Sequence, residues 1–195
     1  MKVINLLGPP GAGKSTIMLG LTYQLKTMGL SAENTPEFIK EMIFEESQID
    51  VFGGQNFILA QQNRRLARLV KSTDFVVTDC PLALIASYTP VDYIEGFETF
   101  ALNLANRYDS VNYFLNRNPE YEFEKENRYH DEASSDAKGL EIKNYLSKNN
   151  IKFLELTSGD NVISTIIDNL IEKNIITTEH FQKSRNPKVR KQYGL

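Results

Sequence analysis

Apolar residues follow two rhythms along this chain: short continuous runs, and longer stretches in which they recur every three or four positions. Lys2 to Leu7 is a short apolar run that stops at Gly8, as expected for a strand buried on both faces. Lys14 to Met28 then carries Ile17, Leu21, Leu25 and Met28 at helical spacing, with Gly29 just beyond its end. Ser31 to Thr35 reads as a second strand stopped by Pro36. A helix is predicted from Glu37 to about Glu46, with Phe38, Ile39, Met42 and Ile43 on one side. Phe52-Gly53-Gly54 marks a break before a longer helix from Gln55 to Lys71. Asp74 to Thr78, Val111 to Leu115 and Lys152 to Leu156 are three further strand-like runs. The last two are followed by helical periodicity at Ala133–Leu146 and Val162–Ile171. Five strands alternating with helices predict a parallel sheet covered on both faces, an α/β architecture in three layers.

Two stretches stand apart from this alternation. Asn116 to about Ser135 is polar and acid-rich with few apolar anchors, so it reads as a lid or as a plain surface insertion. Residues 173–195 form a C-terminal tail after an expected domain over residues 1–172. Five of the chain's 22 lysines and arginines (Lys183, Arg185, Lys188, Arg190 and Lys191) lie in that tail, and residues 183–195 hold no acid. The body is therefore acidic and the tail basic; such a tail is either a solvated end or a contact for phosphate groups.

Composition narrows the class further. The chain has 195 residues, 41% hydrophobic and 24% charged, which is ordinary for a folded domain and unlike a disordered one. No apolar run approaches the roughly 18 residues a membrane span requires, so no membrane partner is expected. The segment before Gly8 is too short for a secretory leader, and a cytoplasmic location is expected. The single cysteine, Cys80, excludes an internal disulfide and a multi-cysteine metal site, and two histidines, His130 and His180, are too few for a His-based zinc site without carboxylate help.

Gly8-Pro9-Pro10-Gly11-Ala12-Gly13-Lys14-Ser15 matches G-x-x-x-x-G-K-[ST] at every fixed position and is followed by Thr16. It lies directly after a predicted strand and opens a predicted helix, the context this motif requires. The chemistry explains the residue types. Glycines let backbone N–H groups turn inward around phosphate oxygens, and a helix N-terminus adds donors and partial positive charge. Lys14 would reach the β- and γ-phosphates of ATP, and the Ser15 hydroxyl would ligate Mg²⁺. Asp79 ends the apolar run before it and would project from the carboxyl edge of a neighbouring strand. There a carboxylate can hold the metal or accept a proton from an attacking hydroxyl; capping the next helix ahead of Pro81 is the other reading. Cys80 reads as a small buried filler.

On these residues the sequence resembles the small P-loop kinases that phosphorylate nucleosides, nucleotides or ribosides, particularly phage-type proteins near the nicotinamide riboside kinase domain. The resemblance spans residues 1 to about 172. It rests on Gly8–Thr16, on Pro36-Glu37, on Asp79-Cys80-Pro81-Leu82 with Tyr88, and on Asn127-Arg128-Tyr129 in the lid position. Relatives often have arginine where Cys80 stands and glycine where Asn127 stands, departures that bear on the phosphoryl acceptor. The resemblance implies a P-loop fold with a lid, ATP and Mg²⁺ as cofactors, and a small acceptor.

Helical spacing places Phe57, Gln61, Arg64 and Arg68 in one stripe, with Leu59, Leu66 and Val70 on the opposite, core-facing side. A ring, an amide and two guanidinium groups suit a base and a phosphate; a solvated helix face is the alternative. By resemblance, Gln61 would contact the acceptor base. Glu37 could serve as base for the acceptor hydroxyl, or could favour the N-terminus of its own helix after Pro36. Arg117, at the end of the fourth strand, and Arg128, in the lid, are candidates for neutralising phosphate charge, or for pairing with nearby glutamates. Two other functions fit the same motif. One is a kinase of hydroxymethylated bases in DNA, held through the basic tail. The other is an ATPase or switch acting on a protein partner.

Overall fold

The computed structural model describes residues 1–45, 54–90, 92–121, 132–182 and 187–192. Five parallel strands, β1 (Lys2–Leu7), β2 (Ala32–Thr35), β3 (Phe75–Thr78), β4 (Ser110–Asn116) and β5 (Leu154–Thr157), form one sheet in the order β2-β3-β1-β4-β5. The expected three-layer α/β architecture is the observed one. After β1 the chain moves to one side for β2 and β3, then crosses to the other side for β4. The switch point therefore lies beside β1, and ligands of open α/β sheets bind at the carboxyl edge there.

Alternation along β1 feeds both faces. Ile4 and Leu6 join Phe75, Val77, Tyr113 and Leu115 beneath α1 (Lys14–Thr27) and α7 (Val162–Glu172). Val3 and Val76 face α3 (Gln55–Ala67) and α5 (Phe97–Ala105), and Leu7 and Phe114 meet α6 (Glu132–Lys148). Each fully buried aliphatic side chain contributes on the order of 1.5–3 kcal/mol, so the central strands are anchored from above and below. The body continues past residue 172. Ile176 and Phe181 are buried in the first cluster, and the ring of His180 lies 5.0 Å from that of Phe75. Phe181 belongs to α8 (Thr178–Gln182), and a further short helix, α9, spans Pro187–Gln192.

Two expectations need correction. The helix predicted to reach Lys71 ends at Ala67, after which Leu69 N donates to Leu66 O and Val70 N to Ala67 O in tighter turns. Val70 therefore leaves the helical stripe and is 46% exposed, whereas Leu59 and Leu66 are buried as expected. The segment between β3 and β4 also contains α4 (Leu82–Ile85), a 3₁₀ turn (Ala86–Tyr88) and α5, none of which was predicted. Phe97, Ala101 and Leu104 at helical spacing, with Glu98 in the first turn, were the available signal for α5.

Candidate active site

The P-loop connects the end of β1 to the start of α1, and its shape follows from close backbone approach. Gly8 has φ 139°, and a Cβ there would come 2.4 Å from Leu115 O of β4. Gly13 has φ 75° and immediately precedes α1, a conformation L side chains rarely adopt. Neighbouring elements clamp the loop: Ser158 Oγ donates to Ala12 O at 2.5 Å, Ser135 Oγ donates to Pro10 O, and Gly139 of α6 packs on Pro9.

Parallel register brings the second anchor alongside. Asn5 of β1 pairs with Thr78 of β3, so the next residue, Asp79, emerges at the edge where Gly8 begins the loop. Ser15 Oγ donates to Asp79 Oδ2 at 2.6 Å. Asp79 is 3% exposed, and its other oxygen, Oδ1, is buried with no hydrogen-bond partner. An orphaned carboxylate oxygen in a buried position is costly unless something else occupies it, so the pair suits a hard divalent cation and its water shell. Among the described residues no group of three or more His, Cys, Asp and Glu forms a cage. A Mg²⁺ held by one hydroxyl, one carboxylate and substrate phosphates needs none.

Lys14 Nζ donates to Gly8 O at 2.9 Å and Pro9 O at 2.8 Å. Burial pushes its ammonium below the usual lysine range, and the charges of Glu37 and Asp79 partly offset that. The charge of Glu37 is thus felt at the cradle. Its field also adds to burial in raising the Cys80 thiol and the Tyr88 hydroxyl. Glu37 stands at the N-cap of α2 (Phe38–Phe44), where a carboxylate suits the positive end of the helix, although it makes no side-chain capping bond. The raised Cys80 thiol agrees with a filler and not a nucleophile.

The other predicted residues are spread more widely. Thr16 is exposed on α1. Arg117 leaves the end of β4 and pairs with Asp136 of α6 at 3.2 Å. Arg128 lies outside the described residues. Phe57 is 38% exposed, its ring edge-on to Phe38 of α2 with centroids 5.4 Å apart. Gln61 is half-buried, and Arg64 and Arg68 are exposed.

Three side chains near the site were not predicted. Gln62, buried next to Gln61, donates to Thr35 O, Pro36 O and Thr78 Oγ1 at 3.4 Å and accepts from Phe38 N at 3.3 Å. Arg65 donates to Pro36 O at 2.9 Å, pairs with Glu41 and lies over the Phe38 ring. Lys40 Nζ donates to Ser15 Oγ at 2.5 Å. Gln62 and Arg65 lie one position beyond Gln61 and Arg64, about 100° further around the helix. Leu59 and Leu66, adjacent to that face, were the available signal. A separate groove lined by Asn5, Asn112, Asn149 and Lys152 opens at the amino ends of β4 and β5, away from the cradle.

A phosphate cradle after the central strand, with a hydroxyl–carboxylate pair beside it, defines a P-loop NTPase with a kinase-like fold. The chain matches the AAA domain family over residues 3–161 and belongs to that family. No curated protein matches it. Among solved structures it is similar to a NadR protein in complex with NAD and AMP-PNP (TM-score 0.68, 15% identity), covering 90% of this chain and 50% of that one. The chain thus spans half the length of that NadR protein. It is also similar to the deoxyadenosine kinase of M. mycoides (0.53, 16%) and the shikimate kinase of Aquifex aeolicus (0.52, 16%), each covering 91% of this chain and all of the other. Among the described residues no helix is long and apolar enough to cross a membrane.

Proposed function

We propose that this chain transfers the γ-phosphoryl group of ATP to a small nucleoside, nucleotide or riboside. The observation that carries this reading is the Ser15–Asp79 contact at the mouth of the P-loop, with one carboxylate oxygen buried and unpartnered. Mg²⁺ held by Ser15 and Asp79 would neutralise charge on the β- and γ-phosphates. The residues of the chain do the rest. Backbone N–H groups from Gly8 to Thr16 bind the phosphates, and Lys14 exchanges the Gly8 and Pro9 carbonyls for phosphate oxygens. Arg117 exchanges Asp136 for phosphate, and Arg128 adds a second guanidinium from the lid, which also excludes water.

Glu37 serves the acceptor side. Its charge is felt by Lys14, Cys80 and Tyr88, which supports a role for its carboxylate in accepting a hydrogen bond or proton from the attacking hydroxyl. Phe57 would stack on a base, with Gln61, Arg64 and Arg68 as the polar groups of the same helix. In the nucleotide-bound chain the acceptor and the γ-phosphate are held in line, which supplies most of what phosphoryl transfer demands of a protein. The test is incubation of the full chain with labelled ATP, Mg²⁺ and a panel of nucleosides, nucleotides, nicotinamide riboside and hydroxymethylated DNA, followed by product mass analysis. A singly phosphorylated small product is expected. Phosphate on DNA alone, or ATP hydrolysis with no phosphorylated product, would replace this reading with one of its rivals.

A further inference from the structure

Lys40 is a charged residue of this site that neither the motif nor the resemblance singles out. It lies on α2, and its ammonium donates to Ser15 Oγ at 2.5 Å; that hydroxyl donates onward to Asp79 Oδ2 at 2.6 Å. Ser15 Oγ thus accepts from one cation while being the oxygen the P-loop turns toward a metal. A monovalent ammonium hydrogen-bonded to that oxygen and a divalent cation bonded to it repel each other strongly at such separations, so both cannot hold it together.

The helix that carries Lys40 is lightly held. Met42 is its one buried residue; Phe38 and Ile39 pack half-buried against the same core cluster, and Gln62 at Phe38 N, Arg65 with Glu41 and Phe57 against Phe38 add contacts from α3. The Lys40–Ser15 bond links that helix to the P-loop. Glu37, at its N-cap, is on the acceptor side of the proposed reaction, so whatever moves Lys40 acts on the element that bears Glu37.

We infer that Lys40 is a positioning residue that competes with the metal for Ser15, so that loading of metal and nucleotide releases α2 from the P-loop. The inference rests on the reading of Ser15 and Asp79 as the metal-holding pair. It makes Lys40 an internal competitor: while it holds Ser15, more Mg²⁺ is needed to seat the nucleotide, and once displaced it frees the acceptor-side helix to rearrange.

The test is a Mg²⁺ titration of the binding of a fluorescent ATP analogue to the full chain, at constant ionic strength, for wild type, Lys40→Met and Lys40→Arg. Lys40→Met should lower the half-saturating Mg²⁺ concentration by about fivefold, the scale of one modest charged contact. Its affinity for the analogue in the presence of EDTA should not rise, because no metal competes there. Lys40→Arg keeps the charge and should titrate like wild type. A purely structural role would shift the melting temperature and both affinities together. An unchanged or raised Mg²⁺ requirement in Lys40→Met overturns the inference while leaving the cradle intact. Wild-type chain that binds no analogue at any Mg²⁺ concentration overturns the metal-site reading itself, and the inference with it.

Discussion

The two halves of the candidate site are built by different means. The phosphate cradle is backbone, closed by packing: Gly8, Pro9 and Ala12 are buried, two serine hydroxyls hold its carbonyls, and α1 behind it buries Ile17, Met18, Leu21, Thr22 and Leu25. The proposed acceptor side is a short helix, α2, with one buried residue, held by side chains from α3 and by Lys40 on the P-loop. Phosphate is the same ligand in every nucleoside triphosphate, so a rigid backbone cradle serves it. An acceptor differs from kinase to kinase, and a lightly held helix can change its side chains without disturbing the core.

The largest effect should come from the cradle. Lys14→Ala is expected to reduce phosphoryl transfer by about 10²–10³-fold or more while the chain stays folded, because its charge serves phosphates once the nucleotide is bound. Near-wild-type turnover with ATP and Mg²⁺ would break the distinction between the two halves. Asp79→Asn keeps the shape and removes the charge. Turnover should fall about 10²-fold and nucleotide affinity by less than tenfold, measured by steady-state kinetics and by analogue binding. Equal losses in both would make Asp79 a structural residue.

The same division decides what could be read in the chain beforehand. β1, β3 and β4 are apolar because both sheet faces are covered, and their observed bounds lie within a residue or two of the predicted ones. The P-loop is local, so its spacing announced it. Asp79 was singled out from its place at the end of an apolar run, and in the structure it accepts from Ser15 Oγ. The acceptor side depends on tertiary contacts that leave no periodic trace. Gln61 and Gln62 are chemically identical neighbours, and only the docking of α3 against β2 and β3 decides which amide is buried. Lys40 was illegible for the same reason: a lysine on a short helix reads as a solvated charge until the register places it on Ser15. Val70 was misplaced because nothing in its immediate sequence marks the end of the helix at Ala67.

Smaller effects sharpen the contrast. Gln62→Leu removes an amide that ties α2 to β2 and β3 and leaves Phe38 N without this partner. It should cost about 1–3 kcal/mol in urea unfolding and raise the KM for the acceptor more than that for ATP. A larger effect on ATP would mean that the two halves are one mechanical unit. Truncation after Gln182 keeps Phe181 in the core and removes five basic residues. Turnover of a small acceptor should then change by less than about threefold at both 50 and 200 mM salt. A loss that tracks salt would favour a DNA acceptor.

The most direct measurement is a crystal structure of the full chain with Mg²⁺ and a non-hydrolysable ATP analogue. The account predicts the triphosphate within the loop from Gly8 to Thr16, Lys14 Nζ on phosphate oxygens instead of the Gly8 and Pro9 carbonyls, and the metal on Ser15 Oγ beside Asp79. A nucleotide bound elsewhere, or one in the loop with Lys14 still on those carbonyls and no metal at Ser15, would contradict it.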